Sequence, residues 1–200
     1  MAKVIIRKLK FDPMVRALTK TRAFKEATRK AAAEKFKDAK NNLIKGFDSH
    51  PVTREIERGE EAANTSGTLG GYGNLYTFIG FYKNENPVEE VRDAIKKYTT
   101  MSRGKFTSTK NKAEASFTIK VPTVDELASV SPMPWEGGSW LRSIERGISG
   151  FGYYMYKKYR GSRSGSGFQL DNQVREGGYK PTKYYSSLVR MFAKEVTSIK

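Results

Sequence analysis

The sequence predicts an α+β fold: a mixed or antiparallel β-sheet packed against a long N-terminal helix and further helices, with extended loops or arms. Three observations predict it. From Pro13 to about Lys45, apolar residues recur at helical steps through Val15, Leu18, Phe24, Ala27, Ala31, Phe36, Ala39 and Leu43. Short runs of β-formers occur at 3–11, 72–82, 105–109 and 115–121, each bounded by turn residues. A last stretch sets Tyr185, Leu188, Val189, Phe192, Val196 and Ile199 at the spacing of one more amphipathic helix. The chain reads as a single domain over 1–200, with mobile arms near 60–71 and 157–180.

Residues 3–11 alternate as an edge strand. Ile5, Leu9 and Phe11 face one way, Lys8 and Lys10 the other, and Arg7 interrupts the apolar face. Asp12 and Pro13 stop the strand and open the long helix, as an N-cap and a first-turn residue. Lys20, Arg22, Lys25, Arg29, Lys30, Lys37 and Lys40 form its basic back, and Gly46 is placed to end it. Such a back is either a solvated face or a surface for an anionic partner.

His50, the only histidine, precedes Pro51 and is expected to be structural, because no second histidine, cysteine or nucleophile motif supports it. Residues 60–71 are polar and glycine-bearing, a loop. Tyr72–Tyr82 is apolar on both faces and reads as a central strand, with Gly80 at a bulge or close approach. Asn86-Pro87-Val88-Glu89-Glu90 opens a helix whose buried stripe is Val88, Val91, Ile95 and Tyr98. Lys105–Thr109 and Ala115–Val121 form a hairpin, with Phe117, Ile119 and Val121 on one face. Ser139 caps a short helix that turns Trp140, Leu141, Ile144 and Ile148 inward.

The region Pro134–Leu170 holds both tryptophans and no acid between Glu145 and Asp171. Tyr153, Tyr154, Tyr156 and Tyr159 alternate there with Lys157, Lys158, Arg160 and Arg163, before a Gly/Ser tract that cannot pack a core of its own. Aromatics with cations suit a protein interface, and they also suit a platform for single-stranded nucleic acid.

Charge narrows the partners. The formal net charge is +16, which favours polyanions or acidic protein surfaces over mere solubility. No run approaches the roughly 18 apolar residues of a membrane span, and the first residues lack a signal-peptide core. The absence of cysteine excludes disulfides and thiolate metal sites, and synthesis in a cytoplasm is expected. Zinc-protease, Walker, nucleophile-elbow and cysteine-nucleophile motifs are missing. The acidic pairs Glu60/Glu61, Glu89/Glu90 and Asp125/Glu126 have simpler roles at helix starts and loop surfaces. No catalytic residue, metal site or cofactor is expected, and a nuclease built from distant acids is the least favoured reading.

Three features in order resemble the neck proteins of tailed bacteriophages, of the tail-completion or head–tail joining type. They are the basic N-terminal helix, His50-Pro51-Val52-Thr53-x-Glu55-Ile56 leading to Gly73-Asn74-Leu75-Tyr76-Thr77-Phe78-Ile79-Gly80-Phe81, and the Trp135–Leu170 region ending in the Ser162–Gly167 tract. The resemblance implies a virion structural protein, assembled in the host cytoplasm. Its copies would form a ring in the neck, between the portal or connector and the tail terminator or tube proteins, through which DNA passes. It implies no active site and no membrane contact. On this reading Trp135, Trp140, Tyr154, Tyr156, Leu188 and Phe192 are expected at subunit or partner interfaces. Lys157, Lys158, Arg160 and Arg163 are expected to make transient, nonspecific contact with DNA or an acidic partner. The alternative is a sequence-nonspecific nucleic-acid-binding protein.

Overall fold

The computed structural model describes residues 2–6, 20–69, 73–109, 112–134, 137–147, 154–157, 167–170 and 182–197. Among them the order is β1 (Ala2–Ile6), α1 (Arg22–Ser49), α2 (Pro51–Glu57), α3 (Leu75–Ile79), α4 (Pro87–Tyr98), β2 (Thr100–Met101), β3 (Lys105–Thr109), β4 (Lys112–Val121), α5 (Trp140–Arg146), β5 (Tyr154–Lys157), β6 (Gly167–Leu170) and α6 (Tyr185–Thr197). The fold is α+β: the long α1 and several shorter helices pack on a small antiparallel sheet.

The long strand β4 organises the sheet. On one side it pairs with β1, Ala2 opposite Val121 and Ile6 opposite Phe117. On the other it pairs with β2 and, through the predicted hairpin, with β3, Lys105 opposite Ser116. β1 stands at the sheet edge, as its sequence suggests. Ala115, Phe117, Ile119 and Val121 alternate inward, and all four are buried. Gly104 lets the hairpin close against this face. It adopts φ +86, and a Cβ there would sit 2.4 Å from the Phe117 ring.

One core cluster joins the sheet to the helices. α1 buries Ala39, Leu43 and Phe47, α4 buries Val88, Val91 and Ile95, and α6 buries Tyr185, Leu188, Phe192 and Val196. Each large side chain contributes about 1.5–3 kcal/mol relative to exposure. α1 and α6 are held together by the Phe36–Phe192 edge-to-face pair at 6.4 Å and by Asn42 Nδ2 donating to Glu195 Oε1 at 2.7 Å. Arg92 of α4 reaches Asp48 of α1 at 2.7 Å and Glu57 of α2 at 2.6 Å, which locks three helices at one point. Burial opposes the charge on Arg92, but the two carboxylates win and its pKa is raised.

Three expectations are corrected. The Tyr72–Tyr82 segment is not a central strand: residues 75–79 form a one-turn helix. Asn74 caps its start, accepting the Thr77 N–H at 2.9 Å, and Gly80 ends it at φ +85. The segment is apolar throughout because Leu75, Tyr76 and Ile79 are all buried. Gly46 does not end α1, which runs on to Ser49. That glycine lies under α6, where a Cβ would meet Leu188 Cδ2 at 3.2 Å. Tyr98 is 48% exposed, with Lys97 Nζ over its ring at 5.5 Å, and Ala94 takes its place in the buried stripe. Within residues 60–69, Ser66 donates to Glu55, the carbonyls of Glu60 and Ala62 accept from Asn74, and Leu69 is buried. The expected start of α1 at Pro13 lies outside the described residues; the helix is described from Arg22, with Thr21 accepting the Phe24 N–H.

Candidate functional site

The His50–Ile56 and Gly73–Phe81 segments interlock. His50 caps α2: its Nδ1 accepts the Val52 N–H at 3.3 Å, a role open only to an unprotonated nitrogen. Its ring lies 4.6 Å from that of Tyr184, which also stacks on Phe47 at 5.8 Å. Burial lowers the His50 pKa and raises that of Tyr184, whose hydroxyl hydrogen bonds Thr53. Glu55 is fully buried, and its two carboxylate oxygens accept the N–H groups of Leu75 and Ser66, each at 2.8 Å. Asn74 completes the joint through Nδ2, which donates to the carbonyls of Glu60 and Ala62. Glu55 and Asn74 thus fasten α2 to the chain on either side of residues 60–74.

The joint positions a cleft. From Tyr76, a hydroxyl bonded to the Tyr82 carbonyl also accepts the Glu85 N–H at 3.0 Å, which shapes the 81–86 turn. Glu85 Oε2 in turn accepts the Tyr82 N–H at 2.8 Å. Beyond the turn, α4 begins. On the far side the chain doubles back between Ser131 and Ser139, whose hydroxyls bond at 2.6 Å, and Trp140 N donates to Ser131 O at 2.9 Å. Ser139 also caps α5, accepting the Arg142 N–H at 3.2 Å. Between these segments lies a cleft of about 470 Å³.

The lining of the cleft is divided. Phe81 and Trp140, both buried and packed edge-to-face at 6.2 Å, form its base, with Pro87, Val130 and Pro132 as walls. Glu85, Glu89, Glu90 and Asp93 crowd its exposed rim. Asp93 pairs with Lys96 at 3.2 Å, but Glu90 has no ion-pair partner among the described residues. The Trp140 indole Nε1–H is buried and finds no acceptor among the described residues. An anionic rim of this kind attracts cations.

The predicted interface residues divide into three groups. Trp140, Leu188 and Phe192 are buried within this subunit, so they are not free surface; Trp140 serves as the cleft base, and the other two join α6 to the core. Tyr154, Tyr156 and Lys157 fall on β5, which pairs with β6 in the register Tyr154–Leu170. Trp135, Lys158, Arg160 and Arg163 lie outside the described residues. The basic back of α1 is less continuous than its sequence suggests. Arg22 pairs with Glu26 at 2.7 Å, Arg29 lies over the Phe106 ring at 5.1 Å, and Lys40 turns in to donate to Thr99 O. Burial lowers the Lys40 pKa. Lys20, Lys30 and Lys37 remain exposed.

Reasoning from the sequence missed the cleft. Glu89 and Glu90 read as first-turn acids of α4, which they are, and nothing local announces that residues 130–140 fold over them. Comparison of the chain with protein-family models, with curated proteins and with solved structures gives no match. Among the described residues no group of three or more His, Asp or Glu could hold a metal ion, and no helix is long and apolar enough to cross a membrane.

Proposed function

We propose that this chain is a virion structural protein of a tailed phage, a neck subunit whose copies form a ring that joins head to tail and lets DNA pass. One observation carries the reading. A chain of net charge +16 presents an acidic cleft with an aromatic base, so its local charge is opposite to its overall charge. A closed ring needs two unlike, complementary surfaces on each copy, and opposed charge on one subunit supplies that complementarity. The fastened His50–Phe81 joint supports the same reading, because the two strings that resemble neck proteins act here as one unit.

In this reading the excess positive charge meets the DNA backbone without reading bases, and the neighbours are the portal or connector on one side and tail terminator or tube proteins on the other. The chain acts through surfaces and not as an enzyme. The test is electron microscopy of purified protein with its neighbouring neck components, together with immunolabelling of virions. Rings with the neighbours and label at the head–tail junction are expected. A protein abundant in infected cells and absent from virions would refute the reading.

A further inference from the structure

We propose that the outward face of the sheet, on β2, β3 and β4, binds the phosphate backbone of duplex DNA, with Arg103, Lys105 and Lys120 as its cations. The inference rests on the ring reading and names the surface of the subunit that passing DNA would meet. Residues directly opposite in an antiparallel pair share a face, and neighbours along a strand alternate. Ala115, Phe117, Ile119 and Val121 are the buried side of β4, so Ser116, Thr118 and Lys120 point outward. The register sets Thr100 opposite Lys120 and Lys105 opposite Ser116, with Thr107 following Lys105 on the same face. Thr100, Lys105, Thr107 and Lys120 are all exposed.

A bulge joins the two halves of this face. Ser102 N donates to Thr118 O at 2.8 Å, which continues the β2 register, whereas Lys105 lies opposite Ser116. In a regular strand Ser102 and Lys105 would point to opposite faces. One extra residue, taken up at Gly104 with its φ of +86, brings both outward and leaves Arg103 exposed between them.

The chemistry of the face is one-sided. Arg103, Lys105 and Lys120 have no ion-pair partner among the described residues. Ser102 Oγ accepts the Thr118 N–H at 2.9 Å, which leaves its own proton to donate outward. Glu114 stands opposite Thr107, toward the hairpin turn and away from Lys120. Ammonium, guanidinium and hydroxyl donors match phosphate oxygens, which only accept. From Ser116 to Lys120 the strand covers about 14 Å, a length over which duplex DNA presents about eight charges. None of the outward residues named is an amide or an aromatic, so the face grips the backbone without reading bases. Lysine acts as a point charge on a flexible stem, whereas an acidic protein would be held better by arginine forks.

The experiment uses the full chain and a short duplex of arbitrary sequence. Lysine acetylation, read by mass spectrometry, should show Lys105 and Lys120 protected by the duplex at low salt and reactive again at high salt. Lys30, Lys37 and Lys45, exposed on α1, should stay reactive. Fluorescence anisotropy then compares R103Q/K105Q/K120Q with K30Q/K37Q/K45Q, which loses the same charge from the helix. The slope of log K against log salt should fall by about 0.9 for each phosphate contact removed from the sheet, and hardly at all in the helix variant. Thermal melts check folding, and K105Q/K120Q replaces the triple variant if that variant melts early.

Equal protection of all these lysines, or equal slopes for the two variants, would show a diffuse cationic surface and overturns the inference. Polyglutamate at the same charge concentration protecting Lys105 and Lys120 as well as the duplex does would make an acidic protein the partner, and also overturns it. Rings that form with the neck components although the duplex protects neither lysine would leave the ring reading standing. Protection in a protein absent from virions would overturn the ring reading alone.

Discussion

Glu55 Oε1 accepts the backbone N–H of Leu75 at 2.8 Å across 20 positions of sequence. Its other oxygen takes the Ser66 N–H, so one buried side chain starts helix α3 and pins the loop before it. E55Q replaces an acceptor with a donor facing an N–H, and should cost about 1–3 kcal/mol. E55A leaves two donors without a partner and should cost about 2–5 kcal/mol. Urea denaturation gives the totals, and hydrogen exchange should show the Leu75 amide losing protection first.

His50 sets a pH limit. Burial lowers its pKa in the fold, so the unfolded chain takes up the proton first. Its contribution is therefore complete above the unfolded value of about 6.5 and is lost as pH falls through that value toward the lower, folded one. Protonation also removes the acceptor that caps Val52. With one histidine in the chain, the slope of stability between about pH 7 and pH 5 reports this residue. H50N keeps a capping side chain without a titrating group, and its stability should be flatter over that range.

Gly104 should not tolerate a side chain. G104A combines a left-handed backbone with a Cβ driven into the Phe117 ring, at a cost of about 2–4 kcal/mol. Thermal unfolding measures it. A variant as stable as the parent would show that the hairpin can shift away from β4.

DNA contact should be weak and readily screened. Binding to a duplex of arbitrary sequence should be micromolar or weaker near physiological salt. The slope of log K against log salt should fall by about 0.9 for each of Lys157, Lys158, Arg160 and Arg163 that reaches a phosphate. Tight binding that depends on sequence would contradict the ring reading.

The elements that the sequence reveals are those whose cause is local. The β3–β4 hairpin, the start of α4 at Pro87 and the Ser139 cap of α5 each rest on a few neighbouring residues. Residues 75–79 hide their helix because a single turn buried on all sides has no polar face, and apolar β-formers then mimic a strand. The better signal was Asn74 and Gly80 bracketing the run. Gly46 misleads for another reason: its purpose is the approach of Leu188, which no neighbour in sequence discloses. The cleft was hidden in the same way. Its acids were visible, but Trp140 joins them from a segment about fifty positions further along.

The pairing of α1 with α6 has a consequence for synthesis. Asn42 and Glu195 are 153 positions apart, and the apolar stripe of α1 has α6 as a principal cover. While the ribosome is still translating the residues between them, Leu43 and Phe47 lack that cover. Contacts of such long range slow the search for the native state. Nascent copies therefore pass through a sticky interval, in which a chaperone that shields α1 would decide how many escape aggregation.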